Sequence, residues 1–156
     1  MTEMQSALGR VALTKVPQWV ETRRRHANTL TNALADVPGV RIPTAPDGID
    51  HAYYKYYAFV LPEMLRDGWN RETIMQAIKA EGVPCFVGSC SEIYLEKAFV
   101  ARRKHPRLPV AKLLGETSLM FLVHPTLSDD HIAITYRAVG KVMAKAVKTA
   151  PAINRT

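Results

Sequence analysis

Cys90 sits in the stretch "GSCSE" (88–92), just after one strand-like segment, and His124 follows another. A thiol beside an imidazole is a nucleophile–base pair, and the spacing leaves a structural or ligand-lining role for Cys90 open beside that one. Ser89 and Ser91 flank the cysteine but do not form a nucleophile elbow. The stretch "YYKYY" (53–57) sets four tyrosines around Lys55. Such rings serve as a stacking platform or, more commonly, as the core of a strand. Lys55 reads as an edge-strand or rim lysine rather than a buried catalytic one. No phosphate-binding loop, G-x-G-x-x-G or H-E-x-x-H occurs, and no metal pattern joins the two cysteines to the five scattered histidines. Two cysteines are too few for a disulfide framework and read as reduced thiols in a cytoplasmic protein.

These residues need elements to hold them. Thr2 and Gln5 form a capping box, and Met4, Ala7, Leu8 and Val11 follow at helical spacing, which predicts a helix over 2–15. Pro17 suits a first helical position and predicts a second helix, with Val20, Arg23, Ala27, Leu30 and Leu34 on one face. "VPGV" (37–40) ends it, "VRIP" (40–43) is a short strand, and "TAPDGID" (44–50) is a turn segment. "HAYYKYYAFVL" (51–61) is the strongest strand signal, with Tyr54, Tyr56, Ala58 and Val60 sharing a face and apolar residues on both. After the loop "PEMLRDGW" (62–69), Asn70 caps a helix with Ile74, Ala77 and Ile78 inward, and Gly82 lies just past its end.

"VPCFV" (83–87) reads as a strand, and Ser91 as the cap of a short helix over 92–99. "VARRKHPR" (100–107) is a polar connection, Pro109 starts a helix reaching about Thr117, and "SLMFLV" (118–123) is a strand. Ser128 caps a last helix, whose first turn carries Asp129 and Asp130 and whose inner stripe carries Ile132, Tyr136, Val139, Met143 and Val147. Residues 149–156 read as a tail. The order predicts an α+β fold, a small mixed or antiparallel sheet of three to four strands packed with helices.

The chain has 156 residues, 47% hydrophobic and 22% charged, the balance of a globular domain with a sizeable core. No apolar run approaches the length of a membrane span, and the first residues, lacking a basic segment before an apolar one, do not read as a secretory signal. The net charge of +7 raises nucleic acid as a partner. The basic clusters "RRRH" (23–26) and "RRKHPR" (102–107) carry no interleaved aromatic residues, so they read as a solvated helix face and a solvated loop.

Taken in order, "MTEMQSALGRVALTKVPQWVETRRRHAN", "YYKYYAFV", "AIKAEGVPCFVGSCSEIYLEKAF" and "LPVAKLLGETSLMFLVHPTLSDDHI" resemble the C-terminal part of the DegT/DnrJ/StrS family from Met1 to about Lys145. Members are pyridoxal-phosphate (PLP) enzymes of sugar aminotransferase type with the aspartate aminotransferase fold. The resemblance implies that residues 1–148 are a single small domain, with Met1 inside a longer chain whose large domain binds PLP. It implies a nucleotide-linked keto-sugar and an amino donor as substrates, in surface-polysaccharide or deoxyamino-sugar biosynthesis. It also implies a cytoplasmic homodimer that engages neither nucleic acid nor membrane. The Schiff-base lysine and its aspartate partner belong to the large domain, so this chain alone is expected to hold no cofactor, metal or catalytic residue and to be inactive.

The substrate-contacting residues implied are Ser89, Cys90 and Tyr94, where many members carry an H-Y-x-P-L-H-like segment. His124 of "VHP" matches the family's L-H-P. Tyr54 takes the place of the histidine in W-H-L-Y, while Tyr56 keeps the tyrosine. Two alternatives stand beside this reading. One is a non-catalytic binding or regulatory module for an anionic ligand or partner. The other is part of a sugar dehydratase of the same family, in which histidine replaces the lysine.

Overall fold

A computed structural model describes residues 1–102 and 106–148. The expected tail, 149–156, and residues 103–105 of the polar connection lie outside the described residues. The element order is α1 (Glu3–Leu34), β1 (Val40–Arg41), β2 (Tyr56–Val60), α2 (Arg71–Ala80), α3 (Pro109–Thr117), β3 (Ser118–Phe121) and α4 (Asp129–Ala146), with short 3-10 turns at Pro62–Met64, Ile93–Leu95 and Val100–Arg102. The strands form one antiparallel sheet in the order β1-β2-β3. This is the expected α+β architecture.

The first two expected helices are one 32-residue helix, about 48 Å long. It starts at the expected capping box: the Thr2 amide donates to Gln5 Oε1 at 2.9 Å and the Gln5 amide donates to Thr2 Oγ1 at 3.3 Å. Pro17 lies inside it. A proline there frees the carbonyl four residues back, that of Leu13, and both residues are exposed, so water satisfies it and the helix continues. No residue of α1 before His26 is buried; His26, Ala27, Leu30 and Leu34 are. Met4, Leu8, Val11, Leu13 and Val16 are all exposed.

Gly39 turns the chain from α1 into β1 at φ +78°, and a Cβ there would meet Val147 Cγ1 at 2.5 Å. No other residue fits that turn. β1 pairs Val40 with Val60, and β3 pairs Phe121 with Tyr56 and Ser118 with Phe59. Tyr56, Ala58 and Val60, with Leu119 and Phe121, face the core. There they meet Leu30 and Leu34 of α1, Ile74 and Ile78 of α2, and Val139 and Met143 of α4. α2 and α4 begin at the expected caps, Asn70 and Ser128. The end of α4 is tied back by the Arg66 amide, which donates to Ala146 O at 2.8 Å.

Three expected elements differ. β2 is shorter than 51–61: residues 51–55 pair with no strand, and Tyr53 takes φ +44°. Arginines of α1 capture the carbonyls that a partner strand would have used. Arg23 Nη1 donates to Tyr53 O at 3.3 Å and Tyr54 O at 2.9 Å, and Arg24 Nε donates to His51 O at 3.0 Å. Residues 83–87 make one bridge, Phe86 to Met120, instead of a strand, since Pro84 has no amide to extend the ladder. The helix expected over 92–99 is a single 3-10 turn without a side-chain cap. Ser91 therefore caps nothing, and Glu92 is drawn instead into side-chain bonds.

Candidate functional site

The outer face of the sheet carries Tyr57 and Phe59 of β2, with Ser118 and Met120 of β3 opposite them. Residues 83–87 run beside β3 on the side away from β2, and the chain from Val87 to Ser89 turns over this face. The Phe86 amide donates to Met120 O at 3.1 Å, and Ser118 Oγ donates to Val87 O at 2.7 Å. The chain then turns at Gly88, φ +88°, against the Tyr57 ring; a Cβ on Gly88 would collide with Tyr57 Cε1. Glycine is what lets the backbone come this close. The Ser89 amide donates to the Tyr57 hydroxyl at 3.2 Å, and the two hydroxyls share a bond at 3.1 Å. The "GSCSEIY" loop is thus docked on the sheet through Tyr57, a residue the sequence did not single out.

The rest of the loop is tied to the start of α3. Tyr94 donates its hydroxyl proton to Glu92 Oε1 at 2.6 Å and accepts from the Leu108 amide at 3.0 Å. Arg107 grips both oxygens of Glu92 in a bidentate pair. That guanidinium, with the Tyr94 hydroxyl, holds the Glu92 carboxyl down at about 2. Glu92 and Arg107 were not expected as site residues; they lie too far apart in the chain for any local pattern to join them.

Cys90 is exposed and its thiol donates to Glu96 Oε1 at 3.4 Å. That bond is the first cause of a raised thiol pKa, which disfavours the thiolate a nucleophile needs. The Nδ1 atom of His124 sits 2.7 Å from Thr126 Oγ1 and accepts from the Thr126 amide at 3.3 Å. Thiol and imidazole each have a different hydrogen-bond partner, so they form no nucleophile–base pair. Cys85, the other cysteine, is buried, and desolvation pushes its thiol up to about 11.

The five expected site residues fall into two groups. Ser89, Cys90 and Tyr94 share the loop. Tyr54 and His124 lie at the Tyr56–Phe121 end of the β2–β3 ladder, before Tyr56 and beyond Phe121. Tyr54 is exposed, with Arg23 5.6 Å and Lys55 Nζ 5.8 Å from its ring centroid. Tyr56 is a core residue whose hydroxyl bonds Thr31 Oγ1 at 3.0 Å.

The "RRRH" cluster is not the solvated face expected. Arg23 and Arg24 strap residues 51–54, and Arg25 holds both oxygens of Asp129 at 2.9 Å. His26 is buried, with both ring nitrogens unpaired and Nε2 3.7 Å from Asp129 Oδ1. Desolvation lowers its pKa first of all; backbone groups of Val123 and His124 pull the other way without forming well-aligned hydrogen bonds.

Among the described residues no group of three or more His, Cys, Asp or Glu side chains can hold a metal. No lysine among them is buried. Lys141 pairs with Glu81, and Lys148 donates to Glu63 O. A PLP site needs an enclosed lysine with a carboxylate for the ring nitrogen and a phosphate cradle. The described residues make no such arrangement and do not fit the cofactor.

A long helix, a three-stranded antiparallel sheet and a loop docked on its outer face define the small domain of an aspartate-aminotransferase-like enzyme. The chain belongs to the DegT/DnrJ/EryC1/StrS aminotransferase family, whose profile matches residues 1–139. It is similar to an aminotransferase of Psychrobacter cryohalolentis of solved structure, at 47% identity and a TM-score of 0.86, over 92% of this chain and 39% of that one. It is 30% identical over 153 residues to the dTDP-4-dehydro-2,3,6-trideoxy-D-glucose 4-aminotransferase of Saccharopolyspora spinosa, covering 94% of this chain and 34% of that protein. It is 25% identical over 131 residues to a pleiotropic regulatory protein of Geobacillus stearothermophilus, covering 83% and 34%. The chain thus spans about a third of the length of these curated relatives. No helix among the described residues is long and apolar enough to cross a membrane.

Proposed function

We propose that this chain serves as the C-terminal small domain, residues 1–148, of a PLP-dependent aminotransferase acting on a nucleotide-linked keto-sugar in surface-polysaccharide or deoxyamino-sugar biosynthesis. The observation that carries it is the 47% identity to a solved aminotransferase over nearly the whole chain and 39% of the other. PLP supplies the amino-group chemistry and is held outside this chain, which on its own does not transaminate. The small domain contributes the "GSCSEIY" loop as a preset wall for the sugar nucleotide. Ser89, Cys90 and Tyr94 are its contacts, with Tyr54 and His124 beside the Tyr56–Phe121 pair. Tyr57, Glu92 and Arg107 hold that wall in place. The exposed apolar residues of α1, with Met4, Leu8 and Val11, suit a homodimer or large-domain contact in a cytoplasmic enzyme.

The test has two arms. PLP mixed with this chain keeps the spectrum of the free cofactor; a stoichiometric new band at neutral pH, removed by an amino donor, overturns the inactive-fragment reading. The chain joined to the large domain of the Psychrobacter relative then transfers an amino group to a dTDP-linked 4-keto-sugar. The dehydratase variant of the family is decided instead by the large domain native to this chain, which would carry histidine in place of the Schiff-base lysine. A properly folded chimera without amino transfer overturns the enzyme reading and favours a regulatory module, a reading that the similarity to the pleiotropic regulatory protein of Geobacillus supports.

A further inference from the structure

Beside Tyr57, a groove of about 300 Å³ opens between the β1–β2 connection and the start of β2. None of Ser89, Cys90, Tyr94, His124 or Tyr54 lines it. We propose that this groove is a separate binding site for a small flat aromatic or heterocyclic ring bearing one anionic group, a carboxylate or a phosphate.

The lining includes Tyr53, Tyr57 and the buried Tyr56, with Pro43, Pro46 and Ile49 of the connection. The rings of Tyr53 and Tyr56 are stacked at 28° between planes, with centroids 6.4 Å apart. The half-buried Tyr53 ring, backed by buried Tyr56, offers a flat surface that favours a flat guest through apolar contact and stacking. The polar lining is one-sided in charge. Lys55 supplies an ammonium and His51 an imidazole, and no carboxylate lines the groove. Asp50, next in sequence to His51, is 3.6 Å from Arg24 Nη2. Nδ1 of His51 accepts from the Tyr53 amide at 3.0 Å, so the neutral ring carries its proton on Nε2 and keeps a donor there. A donor and a cation beside stacked rings match an anion carried on a ring.

The groove is also built ahead of any ligand. Tyr53 holds φ +44°, a backbone region that costs a tyrosine energy and persists only where the surroundings enforce it. The enforcing contacts are Arg23 on the Tyr53 and Tyr54 carbonyls, Arg24 on the His51 carbonyl, and the His51 ring on the Tyr53 amide. Fixing the wall in advance lowers the ordering cost that a ligand must meet. This site does not depend on the aminotransferase reading, since its lining and its test lie within this chain alone.

The experiment is titration of this chain with thymidine monophosphate and, separately, 4-hydroxybenzoate, followed by amide NMR shifts and calorimetry. Their uncharged counterparts, thymidine and 4-hydroxybenzyl alcohol, are the controls. Expected is saturable binding of at least one anion, with shifts concentrated in residues 43–57 and weaker binding of its neutral counterpart. The tighter of the two anions identifies the source, phosphate or carboxylate. Lys55→Gln should weaken the anion by up to roughly fivefold and leave the neutral ring unchanged, with Lys55→Arg retaining affinity. The proposal is overturned if neither anion binds at roughly 10 mM, a concentration that would reveal even weak sites. It is overturned equally if the shifts fall outside the groove, or if neutral and anionic rings bind alike. The mapping on the unmodified chain decides the matter even if a Lys55 variant fails to fold.

Discussion

The two faces of the sheet are built on different principles. The inner face holds Tyr56, Ala58 and Val60 beside Leu119 and Phe121, closed by the helices and mainly apolar, with the Tyr56–Thr31 hydroxyl pair and the buried His26 among its polar groups. The outer face holds Tyr57, Phe59 and Ser118, and what covers it is irregular chain secured by specific polar bonds. Apolar burial is non-directional and tolerates many solutions, whereas a loop set by hydrogen bonds has one geometry. The inner face therefore accounts for stability, and the outer face for the placement of "GSCSEIY".

Substitutions at the two faces should separate these roles. Phe121→Ala on the inner face removes a fully buried ring and should cost about 3–5 kcal/mol in denaturant unfolding. A cost under roughly 1 kcal/mol, the scale of an ordinary surface change, would remove the distinction. Gly88→Ala on the outer face meets the Tyr57 ring at a positive φ and should cost roughly 1–3 kcal/mol. In a Tyr57→Ala background only the backbone part should remain, so the double-mutant cycle reads the contact directly. Additive costs would show that loop and ring do not meet.

His26 sharpens the comparison from the other direction, because it is a titratable group on the buried side. Its folded pKa lies below the 6.5 of the unfolded chain, so it is neutral when packed. The unfolded state then takes up the proton first, and stability present above pH 6.5 falls as the pH drops below it. Melting curves at about pH 7.5 and 5.5 should show that fall, reduced in His26→Leu; equal slopes would contradict it. The smallest effect is expected at Tyr94→Phe, which loses the bonds to Glu92 and the Leu108 amide. It should cost about 0.5–1.5 kcal/mol at most and loosen residues 88–95 in hydrogen exchange, with the inner-face amides unchanged. Protection lost throughout the sheet would mean that the outer loop is part of the core.

Much of the fold was legible because its signals are local. The capping residues Thr2, Asn70 and Ser128 bond within their own turns, and the alternation at Tyr56, Ala58 and Val60 reports one buried face. Pro17 misled because its effect depends on whether the freed carbonyl meets water, which the sequence does not state. Residues 51–55 misled because strand composition does not supply a partner, and here α1 arginines took the carbonyls. The expected site residues were named from a family resemblance, while the groups that fix them, Tyr57 and Arg107, are joined only by the fold.

The sequence by itself determined the α+β class, the capped starts of α1, α2 and α4 and the strand core, which follow from propensity, period and local capping acting over a few residues, while the family came from its resemblance along the whole chain. Only the tertiary structure decided that Arg23 and Arg24 strap the segment before β2, that Gly88 must be bare to pass Tyr57, and that Glu92 answers to Arg107. Each of those contacts joins residues distant in the chain, and their meeting is set by the packing of the sheet and helices, not by any pattern along the chain.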